Sequence, residues 1–331
     1  MPAIEAHNLS CRYPNGRGVH EVRLAVADGE CYALLGRNGS GKTTLNHLLL
    51  GLMRPSAGRL TVLGCDLSRG GRGHLARCAA ALDTPVLWDR LTARQNAFFV
   101  GRSRGLAGAD LRRRIDRLLE LAGLAEHADE PVGVWSLGMR RKLCVIQALL
   151  DDAELIVLDE PTAAIDPQFQ AALGDLLRAR RRRGRTTWIT GNDPEFAAAV
   201  ADRAAFMDRG RILTEASVSD LLAELSPACQ VAIRLAFPHP VPPPDDAVSA
   251  FAQSGECIDA LVGADAQAVP RLVEHVALCG GRIQSLEVRR PTLRDAFIAR
   301  TRRGPLAVAP DEIAMSADPL DEGAALPEVR P

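Results

Sequence analysis

Residues 36–43 read Gly36-Arg37-Asn38-Gly39-Ser40-Gly41-Lys42-Thr43. This octapeptide matches the pattern Gly-x-x-x-x-Gly-Lys-Ser/Thr, in which glycines let backbone N–H groups curl around the phosphates of a nucleotide. A short apolar run, Cys31–Leu35, precedes it, and a helical pattern follows it from Lys42 to Gly51. A strand, a glycine-rich loop and a helix N-terminus in this order are the context that the motif requires. The segment therefore predicts a phosphate-binding loop in an α/β fold.

This loop is expected to hold the triphosphate of ATP together with Mg²⁺. Lys42 carries a compact charge on a flexible side chain that reaches the phosphates, and it is one of the predicted catalytic residues. The broad planar guanidinium of an arginine would not fit inside the loop in the same way. Thr43 offers its hydroxyl to Mg²⁺. The predicted nucleotide-binding residues of this segment are Gly36, Asn38, Gly39, Ser40, Gly41, Lys42, Thr43 and Thr44.

A second chemical segment is the apolar run Leu155-Ile156-Val157-Leu158, which ends in Asp159 and Glu160. A short apolar run bounded by polar residues predicts a buried strand. Asp159 at its end is placed to hold Mg²⁺, directly or through water. Glu160 is then free to polarise a water molecule toward the γ-phosphate. Together the two segments predict a site that hydrolyses ATP.

The order of the remaining patterns predicts how the chain is organised. Before residue 35, short apolar runs alternate with turn residues, which is typical of antiparallel strands and hairpins. Further on, strand patterns at Leu155–Leu158 and Thr186–Thr190 flank a helical pattern at Gln168–Arg183. Strand–helix–strand alternation implies a parallel sheet covered on both faces. We expect this ATP-binding domain to span residues 1–224, with a helical subdomain at about 84–150.

Residues 225–303 are expected to form a small α+β domain. From Gly304 to residue 331 the chain is rich in Pro, Ala, Asp and Glu with little periodicity, which is typical of a disordered acidic tail. Four segments of the small domain predict a strand, a helix, a helix and a strand in this order: Val231–Phe237, Ala247–Gln253, Ala268–Cys279 and Ile283–Val288.

Composition excludes several classes of protein. The 331 residues carry a formal net charge of −1, which argues against a nucleic-acid-binding protein. No apolar stretch approaches the roughly 20 residues that cross a bilayer, and the eight cysteines lack zinc-ligand spacing. Lysine occurs only at Lys42 and Lys142, and the position of Lys142 predicts a solvated helix cation. The arginine run at 178–185 predicts a solvated helix end, with contact to anionic lipid head groups or to a membrane partner as the alternative.

Between the two chemical segments lies Trp135-Ser136-Leu137-Gly138-Met139-Arg140-Arg141-Lys142-Leu143. Together the three segments resemble the nucleotide-binding domain of ATP-binding cassette (ABC) proteins over roughly residues 3–220, and the nonapeptide resembles an altered form of that family's signature motif. The resemblance implies a P-loop NTPase cassette with a parallel-sheet core, an antiparallel β subdomain and a helical subdomain. It also implies that Ser136 and Gly138 contact the γ-phosphate held by a second subunit. Without the resemblance, Ser136 reads equally well as a helix N-cap.

The resemblance assigns four further positions. Tyr13 lies where the family stacks an aromatic ring on adenine, and Ala163–Asp166 resembles the D-loop at the dimer interface. Asp83 occupies the place of a glutamine that contacts the nucleotide and the metal ion. Asn192 occupies the place of the switch histidine and is included with the catalytic residues. Since asparagine can hydrogen-bond a phosphate but cannot become cationic, we expect slow but real hydrolysis.

The C-terminal segment Leu286–Ile298 resembles the ending of drug-exporter ATPases of the daunorubicin-resistance type, which pair with separately encoded ABC-2 membrane subunits. The resemblance therefore implies the ATPase subunit of an ABC exporter, as a homodimer and as a peripheral protein at the cytoplasmic face of the cell membrane. Two alternatives stay open. One is a catalytically weak regulatory subunit of a heterodimer, and the other is a soluble ABC ATPase that acts outside transport.

Overall fold

The computed structural model describes residues 2–223, 229–244, 248–263, 267–289 and 292–295. The strands of these residues are β1 (Pro2–Arg12), β2 (Gly18–Ala27), β3 (Cys31–Gly36), β4 (Ala57–Val62), β5 (Cys65–Asp66), β6 (Cys78–Ala81), β7 (Leu155–Asp159), β8 (Thr186–Gly191), β9 (Arg203–Asp208), β10 (Arg211–Ser217), β11 (Cys229–Leu235), β12 (Val248–Ser254), β13 (Cys257–Val262) and β14 (Ile283–Arg289). The α-helices are α1 (Lys42–Leu49), α2 (Ala93–Ser103), α3 (Gly108–Leu121), α4 (Leu137–Ala148), α5 (Pro167–Arg182), α6 (Pro194–Val200), α7 (Val218–Ala223) and α8 (Ala268–Leu278).

The central sheet has the order β10-β9-β3-β8-β7-β6, and all of its strands are parallel except the edge strand β10. Alternate residues of β7 face opposite layers. Ile156 and Leu158 pack with the helices α4 and α5 on one face. Leu155 and Val157 pack with α1 and the N-terminal strands on the other. Every residue of β7 is buried as a result, so the predicted parallel sheet covered on both faces is confirmed.

The carboxyl ends of the parallel strands place the predicted site segments at one edge of this sheet. β3 ends at Gly36, where the phosphate loop begins, and β7 ends at Asp159. β8 ends just before Asn192, and Asp83 follows β6 by two residues. Segments that are far apart in the sequence therefore meet because their strands pair side by side in the same direction.

A second sheet, of order β2-β1-β4-β5, is antiparallel throughout, as predicted for the N-terminal segment. Its apolar side chains share a core with α1 and with one face of the central sheet. The helices α2, α3 and α4 lie between β6 and β7 in the sequence and pack together on the opposite face. The helix α1, which follows the phosphate loop, thus packs between two sheets, and the signature segment begins a helix of the helical layer.

A third sheet, of order β12-β13-β11-β14, lies in the C-terminal part and is covered on one face by α8. The predicted helix at Ala247–Gln253 is wrong, because Val248–Ser254 forms β12 and pairs antiparallel with β13. Its alanines favoured a helix, but a tight turn at Gly255, where φ is +59°, folds the segment back onto β13. The helix at Ala268 and the strand at Ile283 are confirmed.

Three sequence predictions lie wholly or partly outside the described residues. These are the domain boundary at 224–225, the acidic tail from Gly304, and part of the exporter-like ending Leu286–Ile298. Within that ending, Leu293 is 1% exposed. It packs in a cluster with Ala197 of α6 and Phe206 of β9, so this residue contacts the central layer of the fold.

The arginine run at the end of α5 is only partly solvated. Arg180 is 5% exposed, and its Nη2 donates to the carbonyl of Ala153 at 2.7 Å. Burial lowers the pKa of Arg180 to about 10. Arg185 donates to the carboxylate of Asp152 at 2.8 Å. The prediction of a solvated helix end is therefore wrong for Arg180, which packs α5 against the segment that leads into β7.

Candidate functional site

A cavity of about 650 Å³ opens at the carboxyl edge of the central sheet. Its lining contains most of the residues that the sequence predicts to bind the nucleotide or to take part in its hydrolysis. They are Tyr13, Asn38–Thr44, Asp83, Glu160 and Asn192. The predicted residues Gly36, Asp159, Ser136 and Gly138 are not part of this lining among the described residues.

The phosphate loop has the backbone shape of an anion cradle. A Cβ atom at Gly36 would lie 2.4 Å from the carbonyl oxygen of Met207 and 2.6 Å from Ser40 Oγ, so only glycine fits there. Gly41 has a φ of +110°, which glycine adopts without strain. Ser40 Oγ is buried and has no hydrogen-bond partner among the described residues. A buried hydroxyl without a partner beside such a loop fits a phosphate oxygen as the missing acceptor.

Lys42 is 6% exposed and points back along the loop. Its Nζ donates to the carbonyl of Gly36 at 2.7 Å and to that of Arg37 at 3.3 Å. The same atom lies 3.6 Å from Glu160 Oε1. The ammonium group is therefore held between two loop carbonyls and a carboxylate, at the edge of the cavity that the phosphates would enter.

Asp159 and Thr43 form the pair that the sequence predicts for Mg²⁺. The Thr43 hydroxyl donates to Asp159 Oδ2 at 3.3 Å. Asp159 is 3% exposed, and its Oδ1 accepts a hydrogen bond from the hydroxyl of Thr190 at 2.7 Å. Two hard oxygen ligands thus lie side by side next to the loop, which is the donor chemistry that Mg²⁺ prefers.

Sequence reasoning missed the buried hydrogen bonds that hold the Asp159 carboxylate in place. Asn46 of α1 is fully buried and donates through Nδ2 to Thr190 Oγ1 at 2.7 Å. Its Oδ1 accepts from Trp188 Nε1 at 2.8 Å. This buried chain from Trp188 through Asn46 and Thr190 fixes the rotamer of the Asp159 carboxylate. The available signal was the polar Asn46 within the apolar run of α1, since a buried asparagine needs partners.

Glu160 adopts a φ of +48°, a left-handed conformation that is uncommon outside glycine. Its backbone N–H donates to the Thr190 carbonyl at 2.7 Å, which holds this turn in place. Glu160 Oε2 accepts from the backbone N–H of Asn192 at 3.2 Å. Burial raises the pKa of the Glu160 carboxyl, and Lys42 opposes this shift. The strained turn therefore aims a carboxylate of raised proton affinity into the cavity.

Tyr13 and Thr44 also line the cavity. The hydroxyl of Thr44 donates to Tyr13 Oη at 3.5 Å, and Tyr13 donates to the sulfur of Met53 at 3.3 Å. Tyr13 is 38% exposed. Its phenol is thus tethered beside the start of α1, while part of the residue is open to the cavity, where the family resemblance implies that adenine stacks.

Asp83 lines the cavity, but its carboxylate is paired with a cation. Arg141 of α4 forms an ion pair with Asp83 and also donates to its carbonyl at 2.7 Å. Sequence reasoning assigned no role to Arg141. The burial and pairing of Arg141, three residues after the signature glycine Gly138, were hard to predict from the sequence, since its partner Asp83 is 58 residues away.

The signature segment begins α4. Ser136 is the N-cap of this helix, and its Oγ accepts from the backbone N–H of Met139 at 3.3 Å. A Cβ atom at Gly138 would lie 2.4 Å from the carbonyl oxygen of Ala164. The N-cap interpretation of Ser136 is therefore confirmed, and Gly138 allows α4 to pack closely on the segment Ala163–Asp166.

Lys142 is not a solvated helix cation, so that prediction is wrong. Its side chain is 14% exposed and forms an ion pair with Asp166. Its Nζ also donates to the carbonyl of Ala122 at 3.0 Å and lies 5.6 Å from the centre of the Phe169 ring. The hydrogen bond from Lys142, and next to it the backbone N–H of Phe169, lower the pKa of Asp166. Lys142 therefore ties α4 to the segment that precedes α5.

We expect Lys142→Met to lower the free energy of unfolding by about 1–2 kcal/mol, because it removes one partner of a partly buried ion pair. Urea unfolding at neutral pH measures this loss. The difference from the wild type narrows as the pH falls through the lowered pKa of Asp166, since the pair contributes only while Asp166 is charged. Arg112→Met on the exposed face of α3 is the control, and an equal loss in both variants would contradict the assigned role.

Comparison with known sequences places the chain in a family. The sequence profile described as "ABC transporter" matches residues 19–163. The Nod factor export ATP-binding protein I of Rhizobium sp. (strain N33) is 36% identical over 231 residues, which cover 69% of this chain and 75% of that protein. The protein of the same name from Rhizobium etli is 31% identical over 307 residues, which cover 92% of this chain and 94% of that protein.

Solved structures agree with this family. One described as the ATP-binding subunit of an ABC transporter has a TM-score of 0.62 at 26% identity and covers 67% of this chain and 92% of its own. An ATP-binding cassette solved as a dimer with ADP and Pi has a TM-score of 0.58 at 21% identity, which is a likeness of fold alone. The predicted α/β P-loop cassette is confirmed, and the chain belongs to the ABC transporter family as an ATP-binding ATPase.

Proposed function

We propose that the chain is the ATP-hydrolysing subunit of an ABC exporter and energises a separately encoded membrane subunit of the ABC-2 type. The observation that carries this proposal is the cavity at the carboxyl edge of the central sheet. There Lys42 and Glu160 meet beside the phosphate loop, next to the pair of Thr43 and Asp159. Export is favoured because the relatives that cover most of the chain are named as export proteins.

In this proposal, Thr43 and Asp159 would hold Mg²⁺ next to the phosphates, and Asp83, which lines the same cavity, would be a further carboxylate available to the ion. Among the described residues, no group of three or more His, Cys, Asp or Glu side chains could hold a metal ion alone. This sparse donor set suits Mg²⁺, which proteins bind through one or two carboxylates together with substrate phosphates. When bound, the ion neutralises charge on the phosphates.

Hydrolysis would use Glu160 and Asn192. The Glu160 carboxylate is aimed into the cavity, and its raised pKa suits a group that accepts a proton from the attacking water. Asn192 lines the same cavity, and its backbone N–H donates to Glu160 at 3.2 Å. Its side-chain amide would donate to a γ-phosphate oxygen without supplying a positive charge. Slow turnover is the expected consequence.

A second copy of the chain would complete the site. Ser136 and Gly138 lie outside the lining of the cavity of their own chain. The apolar residues beside them, Val134 and Leu137, are 80% and 57% exposed. Exposed apolar residues around a helix N-terminus fit a surface that a partner covers, and the helix N-terminus itself attracts an anion. Two copies related by a twofold axis would each present this surface to the other's nucleotide.

A further exposed apolar surface would contact the membrane subunit. Val86 and Phe99 are 81% and 52% exposed. Trp88 packs edge-on against Phe99 with ring centres 4.4 Å apart, close in sequence to the cavity residue Asp83. No helix among the described residues has the length and apolarity to cross a bilayer. In this proposal the chain reaches the cytoplasmic face of the membrane through this surface, as a peripheral protein.

ATP-dependent dimerisation tests the proposal. In the hydrolysis-deficient background Glu160→Gln, Mg–ATP is expected to double the mass in light scattering from 35.5 kDa. Adding Ser136→Asp keeps a good N-cap but places a negative charge toward the partner's γ-phosphate. This double variant should bind ATP and stay monomeric. A Glu160→Gln chain that stays monomeric with saturating Mg–ATP, or a Ser136→Asp chain that dimerises as well, would contradict the shared site.

A further inference from the structure

Arg141 connects the signature helix to the nucleotide cavity. It lies on α4 and is 7% exposed. Its Nη2 pairs with the Asp83 carboxylate and donates to the Asp83 carbonyl at 2.7 Å, and its Nη1 donates to the Ala163 carbonyl at 3.3 Å. Asp83 and Ala163 both line the cavity, but Arg141 is not part of the lining. A single side chain of α4 therefore holds two separate segments of the cavity wall.

The two side chains of the ion pair differ in exposure and so in their freedom to move. Arg141 is enclosed, and its Nε has no hydrogen-bond partner among the described residues. Asp83 is 55% exposed, and it forms the one ion pair of Arg141 in the described part of the chain. Asp83 is therefore the partner that can turn into the cavity, whereas Arg141 stays with α4. A buried guanidinium is costly without a compensating carboxylate, so Asp83 leaves only when a stronger interaction in the cavity offsets that cost.

Asp83 also faces the space that a triphosphate would occupy. A carboxylate beside a triphosphate repels it unless a cation neutralises one of the two. Arg141 supplies this cation in the present structure, and Mg²⁺ bound with ATP would supply it instead. Two cations therefore compete for one carboxylate, and only one of them belongs to the helix that carries Ser136 and Gly138.

We propose that Arg141 is a positioning residue, which holds Asp83 until Mg–ATP binds and then releases it toward the metal ion. The proposal rests on the magnesium site of the proposed function. The exchange of ion-pair partners removes the charge contact between α4 and the Asp83 carboxylate, and it leaves the hydrogen bonds from Arg141 to the carbonyls of Asp83 and Ala163 in place. Occupancy of the cavity and the position of the signature helix are coupled through this exchange.

The test compares ATP binding by the full-length chain in Mg²⁺ and in EDTA, measured by calorimetry. In Arg141→Met, Asp83 repels metal-free ATP and is fully available to the metal ion. The ratio of the dissociation constant in EDTA to that in Mg²⁺ should therefore rise about tenfold, the size of a typical coupling between two sites. In an Asp83→Asn background, Arg141→Met should change this ratio by less than about twofold, because the coupled carboxylate is gone.

Two further variants keep the result decisive. Arg140→Met is the matched control, since Arg140 donates at 2.6 Å to Asp89, which is not part of the cavity lining, and it should leave the ratio unchanged. Arg141→Lys retains the buried charge if Arg141→Met fails to fold, and it should raise the ratio by a smaller factor. A ratio that is unchanged in the folded Arg141 variants, or that rises equally in the Asp83→Asn background, would overturn the proposal. A wild-type chain that binds ATP equally with and without Mg²⁺ would instead refute the magnesium site.

Discussion

In a Glu160→Gln variant, we expect ATP turnover to fall at least about 100-fold while ATP binding persists. Glutamine is nearly isosteric and can keep the contact with the backbone N–H of Asn192. It cannot accept a proton from the attacking water, so the loss falls on the chemical step. Steady-state phosphate release and equilibrium ATP binding measure the two effects separately.

Glu195→Gln provides the control for this substitution, since Glu195 is an exposed residue in the first turn of α6. It should leave turnover unchanged. The pH profile gives a second check. Because burial raises the pKa of Glu160 above its ordinary value of 4.5, wild-type turnover should fall as the pH is lowered through this raised pKa. Unchanged phosphate release by Glu160→Gln would contradict the assigned role.

Replacing Lys42 by alanine should weaken ATP binding about 100-fold, which corresponds to the loss of strong charge-assisted hydrogen bonds to the phosphates. Lys42→Arg should lose nearly as much, although it keeps the charge. The ammonium group is 6% exposed and lies between the carbonyls of Gly36 and Arg37. A planar guanidinium does not fit this enclosed place. Calorimetry with Mg–ATP measures both variants.

Arg54→Lys is the control for the substitution of one cationic side chain by the other, because Arg54 is exposed and lies outside the cavity lining. ATP affinity should not change in this variant. Full ATP affinity in Lys42→Arg would show that the loop needs only a positive charge. In that case the shape argument for lysine at this position would be wrong.

The strand ends and the phosphate loop were predictable because their chemistry is local. Gly36 and Gly41 follow an apolar strand and precede a helix at fixed spacing, and this order alone places backbone N–H groups around an anion. Asp159 and Glu160 end a second apolar strand. Since parallel strands share one carboxyl edge, the two segments had to meet once the sheet was recognised.

The support around these residues was not predictable in the same way. The chain from Trp188 through Asn46 to Thr190 joins residues that are 142 and 144 positions apart. The helix predicted at Ala247–Gln253 was wrong because pairing with β13 outweighs the local preference of alanine for a helix. The first case depends on contacts between segments distant in the sequence, and the second on pairing with the next strand of a hairpin.

The two lysines illustrate the division between sequence and tertiary structure. By itself, the sequence determined the place of Lys42 and its contacts within the loop, because the loop carbonyls that it bonds belong to its near neighbours in the chain. Only the tertiary structure decided that Lys142 is paired with Asp166 and that Arg141 is paired with Asp83. The partners of these cations depend on which segments α4 packs against, and the sequence of α4 alone does not predict that packing.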